Sequence, residues 1–203
     1  MDIAIETLGR VSGETNLGDI KYMTRIVLGG DNRYDADEVF EKLVGAGFFR
    51  DPASTRFHGA WEGGLAQHSL RVLYYTILLY PIMCPETNAD DLVLAALLHD
   101  LCKVQSYEIS QRNVKKNGVW VQEPFYQAKD HANLGHGAES IRRIPVLLGF
   151  QLDDAWTHAV RWHMGMHDIS DMDKYAMAAS IRKYPEVLCL QTADQLAGGR
   201  DNI

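Results

Sequence analysis

The chain has 203 residues, of which 46% are hydrophobic and 23% are charged, and its formal net charge at pH 7 is −7. This length suits one packed domain, and the composition excludes a disordered or membrane-embedded protein. The acidic balance argues against tracking of a long nucleic-acid backbone, which draws on clustered Lys and Arg, and fits a small phosphorylated partner better.

The N-terminal segment carries the weakest pattern. It is rich in glycine, and its apolar positions suggest short strands or irregular structure. We treat residues 1–34 as an N-terminal extension of uncertain structure and residues 35–203 as the main domain. At the start of that domain, acidic residues from Asp35 and apolar residues at helical spacing as far as Val44 predict a first helix.

The centre of the chain predicts two helices followed by a hairpin. We expect one helix over Leu65 to Tyr80, ended by a proline, and another over Asp90 to Leu101, with a local break near its end. The alternating residues on both sides of an Asn-Gly pair predict a β-hairpin over about residues 107–127.

Helical patterning returns in the last third of the chain. We expect helices over Ala132 to Ile144, where a proline cuts the pattern, over Asp153 to Met164, over Lys174 to Tyr184 and over Glu186 to Ala197. The fold class predicted from the sequence is therefore mostly α, a helical bundle with one inserted β-hairpin.

Neither the N-terminus nor the cysteines point to secretion. The first residues lack the basic, apolar and small-residue regions of a signal peptide, and no apolar run is long enough to span a bilayer. The three cysteines have no C-x-x-C spacing, which indicates buried thiols rather than disulfides or a thiolate zinc site. We expect a cytoplasmic protein without a membrane segment.

The most informative residues are histidines and aspartates spread along the predicted helices. Imidazole nitrogens and carboxylate oxygens together form catalytic divalent-metal sites, and a carboxylate can bridge two ions. His68 and His99, with Asp194, are expected to hold one ion. The two later histidines are expected to hold a second ion, which Asp100 would share with the first. The six candidate metal ligands are His68, His99, Asp100, His136, His163 and Asp194.

A site of this kind suits phosphoester hydrolysis. It makes hydroxide available near neutral pH and neutralises charge on a phosphoryl oxygen. We expect metal-bound hydroxide to be the nucleophile, with Asp100 and Lys103 as catalytic residues and Lys103 also contacting the substrate phosphate. The hairpin follows the His-Asp pair and is a candidate lid, with Trp120 near its turn. The other candidates for substrate binding are Arg56, His58, Arg161 and His167.

The ordered set of ligands resembles the HD-domain superfamily of metal-dependent phosphohydrolases, whose pattern is H…HD…H…H…D. The resemblance covers about residues 57 to 197 and includes the lysine of the segment HDLCK that begins at His99. It implies that residues 35–203 form an HD-type helical domain that hydrolyses phosphomonoesters or phosphodiesters, commonly of nucleotides. It also implies one or two divalent transition ions per chain, namely Fe, Mn, Co, Ni or Zn, and the two middle histidines favour two.

Hydrolysis of a nucleotide or a small phosphorylated metabolite is the function that we expect first. One alternative is a phosphodiesterase or exonuclease that acts on short oligonucleotides. Another is a regulatory module that binds metal and senses a nucleotide without hydrolysing it, although the complete ligand set disfavours this reading. Apolar helix faces also make a homodimer a possible assembly.

Overall fold

The structure is a computed structural model, and the part of the chain that it describes comprises residues 2–12, 14–31, 33–56, 59–130 and 134–200. Its regular structure is mostly helical with one two-stranded antiparallel sheet, which confirms the predicted fold class. Two short 3₁₀ turns lie at Leu101–Lys103 and Gly165–Asp168. In chain order the main elements are α1 (Asp2–Leu8), α2 (Leu17–Leu28), α3 (Ala36–Ala46), α4 (Gly64–Met83), α5 (Leu92–Leu98), β1 (Tyr107–Lys116), β2 (Val119–Ala128), α6 (His136–Leu148), α7 (Asp154–Trp162), α8 (Asp173–Lys183) and α9 (Glu186–Arg200).

The N-terminal segment is helical, so the expectation of strands or irregular structure there is wrong. α2 begins at a capping residue, Asn16, whose side-chain oxygen accepts a hydrogen bond from the Asp19 N–H at 3.0 Å. Its buried residues recur at helical spacing, as at Ile20, Met23 and Val27, and they belong to the same hydrophobic cluster as the later helices. The segment therefore packs into the common core.

Two helices continue past a proline that was expected to end them. α4 runs through Pro81 to Met83, and α6 runs through Pro145 to Leu148. Each proline lies within the last four residues of its helix, so it removes one backbone donor near an end where the remaining hydrogen bonds persist. The sequence-based ends of these helices are corrected accordingly. α6 begins at His136, and the predicted start at Ala132 lies outside the described residues.

The helix that carries the His-Asp pair breaks where the sequence predicts. α5 ends at Leu98, and the 3₁₀ turn begins at Leu101. Between them, Asp100 has φ −105° and ψ 22°, outside the helical region. Neighbouring side chains on a regular helix diverge by about 100°. The break therefore allows the imidazole and the carboxylate to face the same point.

The later helices surround a common centre. α4 packs against α5 and α9, while α7 packs against α6 and α9. Every candidate metal ligand lies on one of these helices or within two residues after its end. The core packing thus brings distant parts of the sequence to one place. None of the helices in the described part of the chain has the length and apolar character needed to cross a bilayer.

The hairpin has the tight turn that its sequence predicts. β1 and β2 pair from Tyr107 opposite Ala128 to Lys116 opposite Val119. The two turn residues, Asn117 and Gly118, have φ values of 49° and 86°. Positive φ at both positions is typical of the tight turn that matches the twist of a two-stranded sheet.

Candidate metal centre

Asp100 lies at the centre of the converging side chains. Its Oδ2 atom lies 3.3 Å from His99 Nε2 and 3.7 Å from His68 Nε2. Its Oδ1 atom lies 2.7 Å from His136 Nε2 and 3.5 Å from His163 Nε2. Each oxygen of this carboxylate therefore faces a different pair of histidines.

Asp194 joins the first of these pairs. Its Oδ1 atom lies 3.0 Å from His68 Nε2 and 3.7 Å from His99 Nε2. Three groups of residues have ligand atoms that all lie within 4.8 Å of one another, close enough to share an ion. These groups are His68, His99 and Asp194; His99, Asp100 and His163; and Asp100, Cys102 and His136.

His99 and His163 are oriented in the same way. Each directly follows a helix, and its Nδ1 atom lies close to the carbonyl oxygen three residues earlier, at 2.8 Å for Ala96 and 2.7 Å for Val160. Because a carbonyl only accepts hydrogen bonds, Nδ1 carries a proton, so the neutral imidazole has its lone pair on Nε2. Both Nε2 atoms are buried and have no hydrogen-bond partner within the described residues. A bound metal ion would satisfy these two lone pairs, so the residues present fit such an ion.

The centre also buries a pair of opposite charges. Lys103 Nζ lies 2.6 Å from Asp100 Oδ2, and the two side chains are 12% and 3% exposed. Burial disfavours ionisation of Asp100, but Lys103 and the neighbouring histidines hold the pKa of this carboxyl well below its ordinary range. Burial also disfavours the charge on Lys103, but Asp100 raises the pKa of the ammonium above its ordinary value. The two groups therefore remain ionised as a pair.

Two of the histidines differ in protonation. Burial lowers the pKa of His68, which leaves a neutral imidazole of the kind that binds metal. Burial opposes the charge on His136 as well, but Asp100 raises the pKa of His136 to about 10. Without a metal ion, His136 is therefore protonated at neutral pH. An ion bound there would replace this proton.

A close contact between α6 and α7 sets how near His136 lies to His163. A Cβ atom on Gly137 would lie only 2.2 Å from the backbone oxygen of Arg161. Only glycine permits this approach, because any other residue would force the two helices apart. The glycine after His136 thus has a packing role in assembling the centre.

The order of the candidate ligands along the chain and their convergence in space agree with the family comparison. Residues 65–199 match the family model of the HD domain, and this segment contains all six converging side chains. The chain belongs to the HD-domain family. This membership places it in the superfamily of metal-dependent phosphohydrolases, and the buried His/Asp groups are consistent with the metal site of an HD domain. Comparisons with curated proteins and with solved structures gave no match.

A cavity of about 180 Å³ opens beside the HD-domain centre. Its wall includes Lys103 and His136, and it also includes Tyr107 and Ala128 from the base of the hairpin. Lys103 therefore lies between the buried Asp100 and a space several times the volume of a water molecule. Its wall also includes Lys129 and Glu139, so cations outnumber carboxylates around a space large enough for a small anionic group.

The other predicted substrate contacts lie away from the six side chains. Arg56 is exposed, and so is His167, which lies in the second 3₁₀ turn. The Arg161 guanidinium stacks over the Trp162 ring at 4.0 Å. Within the described residues, none of these three side chains forms a hydrogen bond or ion pair with the six converging ones. Their roles stay predictions, and His58 lies outside the described residues.

Sequence reasoning missed Cys102 as a possible ligand. The thiol is buried, as expected, but it belongs to the third group of close ligand atoms, with Asp100 and His136. The backbone N–H of Cys102 donates to Ser140 Oγ at 3.1 Å, which fixes this turn against α6. The signal was the position of Cys102 inside the HDLCK segment, two residues after Asp100.

A hydrogen-bond network further ties α6 to the turn that carries Lys103. Glu139 accepts from Arg142, and it also accepts from Arg143 Nε at 2.7 Å. Arg143 in turn donates to the carbonyl oxygen of Val104 at 2.7 Å. Hydrogen bonds from Arg142 and then Arg143, acting against burial, lower the pKa of Glu139 to about 2. Glu139 is therefore ionised throughout the neutral range.

Proposed function

We propose that this HD-domain protein is a divalent-metal-dependent phosphohydrolase that hydrolyses a phosphoester bond of a nucleotide or a small phosphorylated metabolite. One observation carries the proposal: the two oxygens of the buried Asp100 carboxylate face two different pairs of histidines. This arrangement is the one that a carboxylate shared by two ions requires. The proposal explains why charged and polar groups are collected in the middle of the bundle.

The ligand set suits one or two divalent transition ions. We expect His68, His99 and Asp194 to hold the first ion and the later histidines to hold the second, with Asp100 common to both. When bound, such ions lower the pKa of water and neutralise charge on a phosphoryl oxygen. Mixed imidazole and carboxylate ligands accept Fe, Mn, Co, Ni or Zn, so the assay below covers several metals.

Lys103 is the residue that we assign to the substrate phosphate. Its ammonium is charged, paired with Asp100 and part of the cavity wall. A phosphoryl oxygen in the cavity would accept a hydrogen bond from this ammonium, and the charge on Lys103 would stabilise the added negative charge of the transition state. Because the lysine is already held by Asp100, little side-chain freedom is lost when substrate binds.

The test is hydrolysis by the full chain after reconstitution with Mn²⁺, Co²⁺ or Ni²⁺. The substrates are bis(p-nitrophenyl) phosphate, p-nitrophenyl phosphate and a panel of nucleotides. We expect turnover of at least one of them, and we expect His163→Gln to reduce it at least about a hundredfold, because loss of a ligand should cost at least as much as loss of an outer-shell partner. His158→Gln is the matched control, because His158 lies on α7 but bonds to Ser180 outside the centre.

Two results would overturn the proposal. Nucleotide binding without turnover in any metal would favour the regulatory module instead. Equal activities of the His163→Gln and His158→Gln variants would show that the histidine cluster is not the reacting centre.

A further inference from the structure

The two faces of the hairpin differ in charge. The inner face comprises Tyr107, Ile109, Gln111, Asn113 and Lys115 with their partners Ala128, Tyr126, Pro124, Gln122 and Trp120. The outer face comprises the alternate residues of both strands. All residues of β1 and β2 are described, and both of their carboxylates, Glu108 and Glu123, lie on the outer face. The inner face carries no carboxylate and one cation.

The inner face is continuous with the cavity beside the metal centre. Tyr107 and Ala128, the first pair of this face, belong to the cavity wall together with Lys103. The next pair is Ile109 and Tyr126, and the face continues outward to Lys115 and Trp120 beside the turn. Eight residue steps along a strand span about 27 Å. A molecule whose phosphate enters the cavity would therefore meet this face over a considerable length.

The inner face is the more exposed of the two, whereas most of the half-buried positions of the hairpin, such as Val114 and Phe125, lie on the outer face. On the outer face, Lys116 pairs with Glu123, and Arg112 lies over the Phe125 ring at 5.5 Å. On the inner face, no ion pair of Lys115 is found within the described residues, and Trp120 is 67% exposed. The indole ring and the ammonium are therefore both accessible to a ligand.

The base of the hairpin is fixed by hydrogen bonds. The Lys129 backbone N–H donates to the Ser106 carbonyl at 3.0 Å, and Lys129 Nζ donates to the Gln105 carbonyl at 2.9 Å. Gln105 has φ 58° and is itself held by its N–H bond to Asp51 at 2.7 Å. These bonds fix the point at which the hairpin leaves the helical bundle.

We propose that the inner face of the hairpin binds the bases and backbone of a short single-stranded oligonucleotide whose reacting phosphate lies at the metal centre. This inference rests on the metal-dependent phosphoester hydrolysis proposed above, and it favours the short oligonucleotide that the sequence leaves as the alternative to a nucleotide or small metabolite. Aromatic rings stack on bases of any sequence, amide side chains such as Gln111 bond to base edges, and Lys115 complements the backbone charge. A single nucleotide would leave most of the face unused. The net charge of −7 disfavours binding of a longer nucleic-acid backbone.

The experiment measures binding separately from turnover. The full, Mn²⁺-loaded protein is titrated into a fluorescein-labelled hexathymidylate with phosphorothioate linkages, and fluorescence anisotropy gives Kd. We expect the hexamer to bind at least about tenfold more tightly than thymidine monophosphate used as competitor, because several bases stack instead of one. Trp120→Ala should weaken hexamer binding at least about fivefold, which corresponds to the loss of one stacked base.

Two neighbours of these residues give matched controls. Lys115→Ala and Lys116→Ala remove the same charge from opposite faces, and Trp120→Ala and Val119→Ala shorten adjacent exposed side chains on opposite faces. We expect Lys115→Ala to weaken binding and to reduce its salt dependence. Lys116→Ala and Val119→Ala should leave Kd within about twofold of the unaltered protein.

The outcomes separate this inference from the proposed function. If Lys115→Ala and Lys116→Ala weakened hexamer binding equally, the protein would attract the oligonucleotide through diffuse charge, and the inner-face site would be overturned. Hydrolysis of bis(p-nitrophenyl) phosphate without hexamer binding would overturn this inference alone. Hexamer binding without hydrolysis of any phosphoester would overturn the proposed function. If Trp120→Ala converts a dimer to a monomer and the hexamer does not bind, the face is an interface between copies of the chain and the inference fails.

Discussion

The helical centre buries charged groups, whereas the hairpin exposes apolar ones. In the centre, Asp100 and Lys103 are almost inaccessible to water. In the hairpin, Ile109 and Trp120 are 68% and 67% exposed. Both arrangements work against folding, because a buried charge costs several kcal/mol and an exposed apolar side chain forgoes about 1.5 to 3 kcal/mol of burial. Neither the buried charges nor the exposed apolar side chains would be expected in a protein whose sequence served stability alone.

The two regions differ in what compensates for the cost. Charges in the centre compensate one another, since Asp100 pairs with Lys103 and bonds to His136. The tip of the hairpin has no such compensation within the described chain, because Trp120 and Val119 lie mostly in solvent. We therefore expect substitutions in the centre to change stability and chemistry together. Substitutions at the tip should change binding alone.

Replacement of Asp100 should have the largest effect. Asp100→Asn keeps the size of the side chain but removes the charge that faces both histidine pairs. We expect loss of bound metal and a fall in phosphoester turnover of at least about a hundredfold. Elemental analysis and a hydrolysis assay on the same samples measure both. Asp171→Asn, which alters an exposed carboxylate, is the control and should change neither.

Replacement of Lys103 should distinguish the stability that the ion pair contributes from the stability that a bound metal contributes. Lys103→Met leaves the Asp100 charge buried, which should lower the free energy of unfolding of the metal-free protein by about 3 kcal/mol. A bound cation would compensate part of that charge, so the loss should be smaller in saturating Mn²⁺. Urea unfolding with EDTA and with Mn²⁺ measures the difference.

The chain offers a matched control for this experiment. Asp171 and Lys174 have the same three-residue spacing and the same 2.6 Å separation as Asp100 and Lys103, but they are exposed. Lys174→Met should therefore lower the free energy of unfolding by less than about 1 kcal/mol, both with EDTA and with Mn²⁺. If the cost of Lys103→Met were the same with and without metal, Asp100 would not be a ligand.

Replacement of Glu139 gives a pH-dependent effect of intermediate size. The pKa of Glu139 is lowered from 4.5 to about 2, so its ionised form stabilises the fold above pH 4.5, and this contribution is lost as the pH falls towards 2. Glu139→Gln should lower the free energy of unfolding by about 2 kcal/mol at pH 6. This figure takes into account that solvent screens the exposed Arg142. In metal-free protein the difference from the unaltered chain should shrink at pH 3. A constant difference at both pH values would contradict the assigned network.

Replacement of Trp120 should have the smallest effect on folding. Because the side chain is mostly exposed, we expect Trp120→Ala to change the free energy of unfolding by less than about 0.5 kcal/mol. Urea unfolding of the purified variant measures this change. A loss above about 2 kcal/mol would mean that the indole packs within the protein, and the contrast between centre and hairpin would be lost.

Much of the fold is predictable because its signals are local. The Asn117-Gly118 turn and the break after Leu98 both follow from neighbouring residues. The N-terminal helices were missed because glycines flank a short amphipathic stretch, and their stability comes from a core contributed by later helices. Helix ends at Pro81 and Pro145 were placed too early, since a proline near a helix end costs only one hydrogen bond.

The site is less predictable than the fold. The ordered histidines and aspartates identified the candidate ligands, because each sits in a helical context that the sequence reveals. Which oxygen of Asp100 faces which histidine depends on how α4, α6 and α7 pack, and no local pattern carries that information. The same holds for Cys102, whose approach to His136 results from the contact between α6 and the 3₁₀ turn.

The most direct test of the account is metal-dependent turnover by stripped and reconstituted protein. The full chain is treated with EDTA, dialysed and assayed on bis(p-nitrophenyl) phosphate and nucleotides while Mn²⁺, Co²⁺ or Ni²⁺ is added back, with metal content measured on each sample. We predict no turnover without metal and activity that rises until one or two ions are bound per chain. Turnover by the metal-free protein, or full loading without turnover of any substrate, would contradict the central claim.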